Sequence, residues 1–162
     1  MNAEDECLLE IALSEQRLYL KCAGQVLFAA AVSTATKGAG EQQGSECTPL
    51  GWHIIRAKIG AGCEAGTVFV GRRPIGEVYH PGLADQERDW ILSRILWLSG
   101  LEQGHNRLGT VDTMRRFIYI HGSPSEIPMG VPGSHGCIRM HNEEVMYLFD
   151  QVPVGTRVLI HD

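Results

Sequence analysis

The 162-residue sequence has no stretch approaching roughly 18 uninterrupted apolar residues, so we expect no membrane-spanning helix. It also has no excess of basic residues. The formal net charge is −5, which argues against a nucleic-acid-binding surface. Charged residues make up only 20% of the chain and hydrophobic residues 44%, a balance typical of a globular protein rather than a disordered one.

The sequence also lacks closely spaced cysteine pairs. It has five cysteines, none in a CxxC arrangement, and the odd number leaves at least one thiol free. Cys7 and Cys22 lie in apolar, strand-like segments, where we expect free cysteines that pack as small hydrophobic side chains. Cys47 and Cys63 lie in glycine-rich loops, and a bridge between them has only weak support. This scatter favours a reducing compartment.

The amino terminus lacks the basic start of a secretory signal. Residues 1–6 are predominantly acidic, and we expect them to be flexible. If Met1 is the native start, the expected location is the cytoplasm; if a signal peptide has been removed, it is the periplasm. The length predicts a single domain over residues 1–162.

Short strand signals recur along the chain, separated by turn residues. The predicted strands are residues 8–13, 17–22, 25–33, 52–59, 67–70, 116–121 and 156–160. Residues 90–98 are apolar, and their periodicity does not distinguish a strand from a helix. Residues 72–89 contain proline, glycine and charged residues, and this composition predicts a long surface excursion.

One helix is predicted near the carboxyl terminus. Asn142 is the expected cap, and Glu143 and Glu144 suit the positive end of the helix dipole. The apolar face consists of Val145, Leu148, Phe149 and Val152. Many short strands and one short helix predict a mainly β architecture, either a sandwich or a partly closed barrel.

The run Ser-His-Gly-Cys-Ile-Arg-Met at residues 134–140 carries the strongest chemical signal. A cysteine becomes a good nucleophile when an imidazole takes its proton and nearby amides favour the thiolate. His121 lies sixteen positions before Cys137, and Gly136 lets a carbonyl group approach the sulfur closely. The backbone amides of residues 135–137 are candidates for holding an oxyanion. This pattern predicts a cysteine acyl-transfer enzyme.

The neighbouring polar residues allow more than one assignment. His121 is the first candidate for the base, and the Gly122 carbonyl can orient it because no Asp or Asn is an obvious partner. His135 is the rival base. Arg139 either binds a substrate carboxylate or forms a surface salt bridge. His141 is expected to be structural, and Ser134 can shape the turn through local hydrogen bonds.

The His-Gly pair at residues 121–122 and the run at residues 134–140 resemble the signature of the L,D-transpeptidase (YkuD) family. Supporting similarity lies in residues 14–20, 32–34, 48–51 and 154–158. The resemblance implies a mainly β fold, a β-sandwich of two mixed sheets with one short helix after the nucleophile. It implies no metal and no cofactor.

The resemblance also implies roles for individual residues. Cys137 would be the nucleophile, His121 the base and the Gly122 carbonyl its orienter, with Gly136 and His135 completing the catalytic set. The expected substrate-binding residues are Arg139, Ser134, Tyr119 and Met129.

The donor would be a peptidoglycan tetrapeptide stem. The thiolate would attack the carbonyl at the L-centre of the third residue, typically meso-diaminopimelate, and release D-Ala. Carbapenems would acylate the same cysteine.

The acceptor of the resulting thioester is open. The absence of an export signal favours water, which would make the protein an L,D-carboxypeptidase of murein recycling. The alternative is an L,D-transpeptidase that forms 3→3 cross-links or exchanges D-amino acids. A catalytically silent module that binds wall fragments is an alternative of another class. A zinc site at His121, His135, Cys137 and His141 is disfavoured because no second compact ligand pair is present. Oligomeric state is not predicted.

Overall fold

The computed structural model describes residues 6–162. The strands are β1 (Cys7–Ala12), β2 (Arg17–Cys22), β3 (Gln25–Ala31), β4 (Gly51–Ile59), β5 (Thr67–Val70), β6 (Arg73–Val78), β7 (Ile91–Gly100), β8 (Tyr119–Ser123), β9 (Ile138–His141) and β10 (Arg157–His161). Helix α1 spans Asn142–Gln151, and short 3-10 helices lie at Pro81–Leu83 and Gly109–Val111. The mainly β prediction is confirmed. The predicted flexible terminus, except Glu6, lies outside the described residues.

The ten strands belong to one mixed sheet that curls into a nearly closed circuit. Strands β3, β2, β1, β10, β4 and β7 pair in that order; β8 pairs with β7, and β9 pairs with β8. The β1–β10 and β8–β9 pairs are parallel. Ser33, just after β3, exchanges two backbone hydrogen bonds of 3.0 and 2.9 Å with Arg139 of β9. These bonds join the two ends of the path, and β5 and β6 branch from β7.

The main core lies inside this curled sheet, and α1 packs against β7, β8 and β9. Strand β1 lies where the apolar run at residues 8–13 predicts a strand, with Leu9 and Ile11 fully buried. Val145, Leu148 and Phe149 bury the apolar face of α1 against this core. No helix among residues 6–162 has both the length and the apolar character needed to cross a bilayer.

Two segments of ambiguous or loop-like sequence are strands. The segment at residues 90–98 lies in β7, where a continuous apolar run suits a central strand with neighbours on both edges. The predicted excursion at residues 72–89 contains β6, which forms a hairpin with β5, and the 3-10 helix Pro81–Leu83. The segment does lie at the surface, since β6 is almost wholly exposed, but the composition did not predict a regular strand, which forms because the Gly-Arg turn at residues 71–72 folds the chain back.

The strand predicted over residues 116–121 begins three residues late, at Tyr119. Phe117 has a positive φ of 58° and donates its amide to the Met114 carbonyl, so the chain turns there before it becomes extended. His121 is consequently in the middle of β8 rather than at its end. This shift places His121 beside Arg139 in the parallel β8–β9 register.

The helix cap was also predicted incorrectly. The capping position is His141, which makes no side-chain capping bond, and Asn142 is the first helical residue. The Asn142 side chain instead accepts a hydrogen bond of 2.7 Å from the Ser93 hydroxyl of β7. A tertiary partner therefore replaces the local capping role that the sequence suggests.

The cysteine predictions require correction. Cys7 and Cys22 form a disulfide, because the β1–β2 register places them directly opposite each other. Cys47, Cys63 and Cys137 are free, so the bridge considered between Cys47 and Cys63 does not form. Pairing across fifteen positions depends on strand register, which the sequence pattern alone does not specify. The argument from scattered free thiols to a reducing compartment loses its basis.

Candidate active site

Cys137 lies on a tight turn that leads into β9. The Ser134 hydroxyl donates to the Cys137 carbonyl oxygen at 2.6 Å and accepts from the Gly136 amide at 3.2 Å. The Thr48 hydroxyl donates to the Gly136 carbonyl oxygen at 2.9 Å. Ser134 therefore shapes the turn, as its local hydrogen-bonding capacity predicts. Thr48 lies far from this turn in sequence, and its hydrogen bond to Gly136 stabilises the turn.

Gly136 is required at this turn for two reasons. Its φ is +132°, a conformation that residues with a side chain rarely adopt. A Cβ atom there would also lie 3.1 Å from Ile118 Cδ1 and 3.2 Å from the Cys47 carbonyl oxygen. The glycine before the nucleophile thus allows the turn to pack closely against the loop that precedes β4.

A cleft of about 310 Å³ opens over the sulfur. The sequence-predicted residues that line it are Cys137, His135, Arg139, Ser134 and Tyr119. His121 is not among the lining residues and lies buried behind them. Met129 also does not line this cleft and is half-buried in the loop before the Cys137 turn. His141 lines a separate small cavity together with Ser123.

The Cys137 thiol is held by backbone groups of the segment that enters β8. It donates to the Phe117 carbonyl oxygen at 3.3 Å and accepts from the Tyr119 amide at 3.3 Å. Burial raises the pKa of Cys137 to about 12, although the Tyr119 amide lowers this pKa. The resting sulfur is therefore a protonated thiol, and it needs a proton acceptor before it can attack a carbonyl carbon.

His121 has the properties of such an acceptor. Its Nδ1 lies 2.7 Å from the Gly122 carbonyl oxygen, which requires a proton on Nδ1 and leaves the lone pair on Nε2. Nε2 is buried and has no hydrogen-bond partner among residues 6–162. Burial lowers the pKa of His121, against the raising effect of the Gly122 bond, so the imidazole is neutral near pH 7.

The charges of Asp89 and Arg139 act on the pKa values of both the Cys137 thiol and the His121 imidazole. Asp89 raises and Arg139 lowers the pKa of both Cys137 and His121, so one local charge distribution acts on both groups. The Arg139 guanidinium donates to the Gly133 carbonyl oxygen at 3.0 Å and to Asp89 Oδ1 at 3.4 Å. Arg139 lines the cleft and also forms an ion pair with Asp89 at the cleft wall. Its position is therefore compatible with both predicted roles, binding of a substrate carboxylate and formation of a salt bridge.

Three charged residues of the cleft wall were not predicted from the sequence: Arg72, Asp89 and Arg116. Arg72 lies over the rings of Trp97 and Phe117 at 4.9 and 5.0 Å and donates to the Tyr119 hydroxyl at 3.1 Å. Arg116 donates to the Cys47 carbonyl oxygen at 2.7 Å. No local pattern marks these residues, because distant turns bring them to the cleft.

The three candidate oxyanion donors are not equivalent. The Gly136 amide already donates to Ser134. The amides of His135 and Cys137 have no acceptor within the described part of the chain and remain available to a ligand. The His135 side chain is exposed at the cleft rim. Within residues 6–162, no three His, Cys, Asp or Glu side chains are arranged to hold a metal ion.

The model of the YkuD L,D-transpeptidase catalytic domain matches residues 8–160. The chain belongs to this L,D-transpeptidase family. This L,D-transpeptidase family member is 57% identical over 47 residues to the putative L,D-transpeptidase YqjB of Bacillus subtilis. It is 51% identical over 47 residues to the probable L,D-transpeptidase ErfK/SrfK of Salmonella typhimurium. These matches cover 29% of this chain but only 27% and 15% of those two proteins.

Solved structures show the same fold for this family member. An L,D-transpeptidase from Mycobacterium smegmatis superposes with a TM-score of 0.57 at 18% identity, over 97% of this chain and 59% of that chain. The L,D-transpeptidase LdtMt1, in complex with imipenem, superposes with a TM-score of 0.58 at 21% identity, over 97% of this chain and 59% of that chain. At these identities the likeness concerns the fold alone. The chain spans about three-fifths of each solved chain.

Proposed function

We propose that this protein is a cysteine acyl-transfer enzyme that cleaves peptidoglycan tetrapeptide stems. The scissile bond joins the L-centre of the third residue, meso-diaminopimelate, to D-Ala. One observation carries the proposal: Cys137 lines the cleft, and the neutral His121, buried outside the cleft lining, has an Nε2 atom without a hydrogen-bond partner among residues 6–162. Membership of the L,D-transpeptidase family supports the substrate class.

Acylation begins when the Cys137 thiol turns from the Phe117 carbonyl towards His121. Nε2 of His121 accepts the thiol proton as the sulfur attacks the stem carbonyl carbon. The amides of His135 and Cys137 donate to the oxyanion that forms. The carbon–nitrogen bond then breaks, His121 returns the proton to the departing D-Ala amine, and a thioester remains on Cys137.

We propose water as the acceptor of this thioester, which makes the overall reaction an L,D-carboxypeptidase reaction. Among residues 6–162, the cleft is lined by Arg72, Arg116 and Arg139, whereas Asp89 is its one acidic residue and is already paired with Arg139. Net positive charge there repels a cationic amine acceptor but does not repel neutral water. The positive cleft also favours a stem that carries several carboxylates. Transfer to an amine, as in 3→3 cross-linking, is the alternative.

The test incubates the protein with a soluble disaccharide-tetrapeptide, with and without an added D-amino acid, and follows products by mass spectrometry. Tripeptide in both incubations supports hydrolysis. An exchange product that forms only with the D-amino acid, without tripeptide, replaces hydrolysis by transpeptidation. Absence of any D-Ala release contradicts the proposed donor substrate.

Cys137→Ala separates catalysis from simple binding. We expect this variant to form neither tripeptide nor exchange product, because the thioester requires the sulfur. Cys63→Ala is the matched control, since Cys63 is also a free, half-buried cysteine but lies outside the cleft. Intact mass after imipenem treatment provides a second readout. An adduct on the wild type and on Cys63→Ala, but not on Cys137→Ala, supports the nucleophile; no adduct on the wild type favours a silent binding module.

A further inference from the structure

Ser93 has an unusual backbone conformation for a buried residue of a central strand. Its φ is +71°, and its side chain is completely buried in β7. Such a conformation is unfavourable for a residue other than glycine and persists only where the surroundings enforce it. The β7–β8 register explains its location. Leu92 pairs with Gly122 and Ile95 pairs with His121, so Ser93 and Arg94 form a bulge opposite the His121–Gly122 peptide.

The Ser93 hydroxyl is the centre of a directed hydrogen-bond chain. The Gly66 amide donates to Ser93 Oγ at 2.9 Å, and the hydroxyl donates onwards to Asn142 Oδ1 at 2.7 Å. An amide N–H is only a donor, so the Ser93 proton is free for Asn142. The chain runs from the start of β5 to the first residue of α1, two elements that are distant in sequence.

This series of hydrogen bonds ends at the Asn142 side chain, which packs against Gly122. A Cβ atom at position 122 would lie 2.3 Å from Asn142 Oδ1 and 2.5 Å from the Leu92 carbonyl oxygen. Gly122 is therefore held tightly between the Asn142 side chain and the backbone that precedes Ser93. Its own carbonyl oxygen accepts the Nδ1 hydrogen of His121 at 2.7 Å.

We propose that Ser93 and Asn142 are positioning residues that clamp the Gly122 peptide and thereby fix the tautomer and orientation of His121. Neither residue reaches the reacting sulfur: Asn142 and Ser93 do not line the Cys137 cleft. Their effect passes through the Gly122 carbonyl, which selects the Nδ1-protonated imidazole and leaves Nε2 as the acceptor. The role assigned to His121 rests on the proposed function.

The first test measures the His121 tautomer directly and needs no substrate. Nitrogen-15 NMR of the imidazole should show one Nδ1-protonated form in the wild-type protein. In Asn142→Ala and in Ser93→Gly we expect a mixture of the two neutral tautomers, because Gly122 is no longer held on one side. Ser93→Gly also relieves the strained φ, so it is expected to fold even where Asn142→Ala does not.

The second test uses turnover of the disaccharide-tetrapeptide. We expect kcat to fall by about 10-fold to 100-fold in Ser93→Gly and Asn142→Ala with KM unchanged, since small misplacements of a catalytic group have effects of this size. Asn142→Asp retains an acceptor oxygen for Ser93 and should restore the single tautomer. Its added charge should also move the acid limb of the kcat profile to higher pH.

Asn106→Ala is the matched control. Asn106 is a completely buried asparagine whose side chain donates to the Leu50 and Trp52 carbonyl oxygens and does not line the cleft. This change should lower Tm while the His121 tautomer and kcat, measured well below Tm, stay as in the wild type. The proposal is overturned if Ser93→Gly and Asn142→Ala keep a single tautomer and wild-type kcat, or if Asn106→Ala reproduces their effects.

The two tests also separate this proposal from the proposed function. If the wild type releases no D-Ala but the tautomer becomes mixed in Ser93→Gly, the positioning role stands and the assigned reaction is wrong. If the wild type turns over and the tautomer is unaffected by every change, the reaction stands and the clamp is wrong.

Discussion

His53 in β4 and His121 in β8 are both buried histidines, but their nitrogen atoms have different partners. His53 has Nδ1 at 3.0 Å from the Gly51 carbonyl oxygen and Nε2 at 3.0 Å from the Thr113 hydroxyl. Both ring nitrogens of His53 thus have a hydrogen-bond partner. His121 uses Nδ1 in the same way, whereas its Nε2 is buried without a partner in the described part of the chain.

Burial lowers the pKa of both histidines, and that of His53 falls to about 4. The shared pKa direction therefore does not distinguish them; hydrogen bonding does. A buried polar atom without a partner destabilises a protein by about 1–3 kcal/mol, a cost that the proton-accepting role proposed for His121 explains. The comparison supports a stabilising role for His53 and the proton-transfer role proposed for His121.

The largest expected effect is on turnover. We expect His121→Ala to lower kcat by about 10² to 10⁴, because the thiol proton loses its acceptor. His53→Ala should lower stability but leave the kcat of the folded protein unchanged. The measurement is tetrapeptide turnover together with urea unfolding for each variant. Near-normal turnover in His121→Ala would transfer the base role to His135, which lines the cleft from its rim.

The second prediction concerns stability in acid. The folded pKa of His53, about 4, is below its ordinary value of 6.5, so the unfolded chain binds the proton first as pH falls. The stability from neutral His53 is complete above pH 6.5 and is lost between pH 6.5 and 4, by about 3 kcal/mol. Urea unfolding at several pH values measures this loss.

His53→Gln is the variant that isolates this contribution, since it removes the titrating ring from a residue whose other surroundings are retained. Its stability should change less between pH 6.5 and 4 than that of the wild type. An identical pH dependence in the two proteins would mean that groups other than His53 cause the loss of stability in acid. It would contradict the stabilising role given to neutral His53.

The third prediction concerns the Thr113 hydroxyl. Thr113→Val should lower the free energy of unfolding by about 2 kcal/mol, because His53 Nε2 would then lack a partner. Thr113→Ser keeps the hydroxyl and is the first control. Ser123→Ala is the second: its buried hydroxyl has no partner among residues 6–162, so its removal should not destabilise the protein. An equal loss in Thr113→Val and Ser123→Ala would contradict the argument from partners.

The smallest expected effect is a shift of a pH profile. Because burial lowers the pKa of His121 below 6.5, the protonation that stops acylation should occur below that pH. Single-turnover acylation by imipenem, followed by intact mass between pH 4.5 and 8, reports this limb for the free enzyme. A midpoint above 6.5 would show that another group, or a charged His121, controls the reaction.

Local pattern predicted much of the fold. The apolar run at residues 8–13 and the alternation in residues 17–22 predicted β1 and β2 to within one residue. The helix at residues 142–151 was also found, although its cap was not. Residues 90–98 were undecided since a continuous apolar run suits a central strand and a buried helix equally. Their strand identity follows from pairing with β4, β5 and β8.

Local pattern likewise predicted only part of the candidate site. The run at residues 134–140 and the pair at residues 121–122 made Cys137, His121 and the Gly122 carbonyl the catalytic candidates, because nucleophile, base and tight turn need particular residue types at short range. Asp89, Arg72 and Arg116 were missed. They reach the cleft from three separate segments of the chain, and no local spacing relates them to Cys137.

The sequence by itself determined the strand pattern, the glycine that permits the Cys137 turn and the family to which the chain belongs. Tertiary structure alone decided that Cys7 pairs with Cys22, that His121 is buried with one free nitrogen and that Ser93 and Asn142 meet at Gly122. The physical reason is strand register. A residue's type and local neighbours set which bonds it can make, whereas closure of the curled sheet sets which distant groups come within range of it.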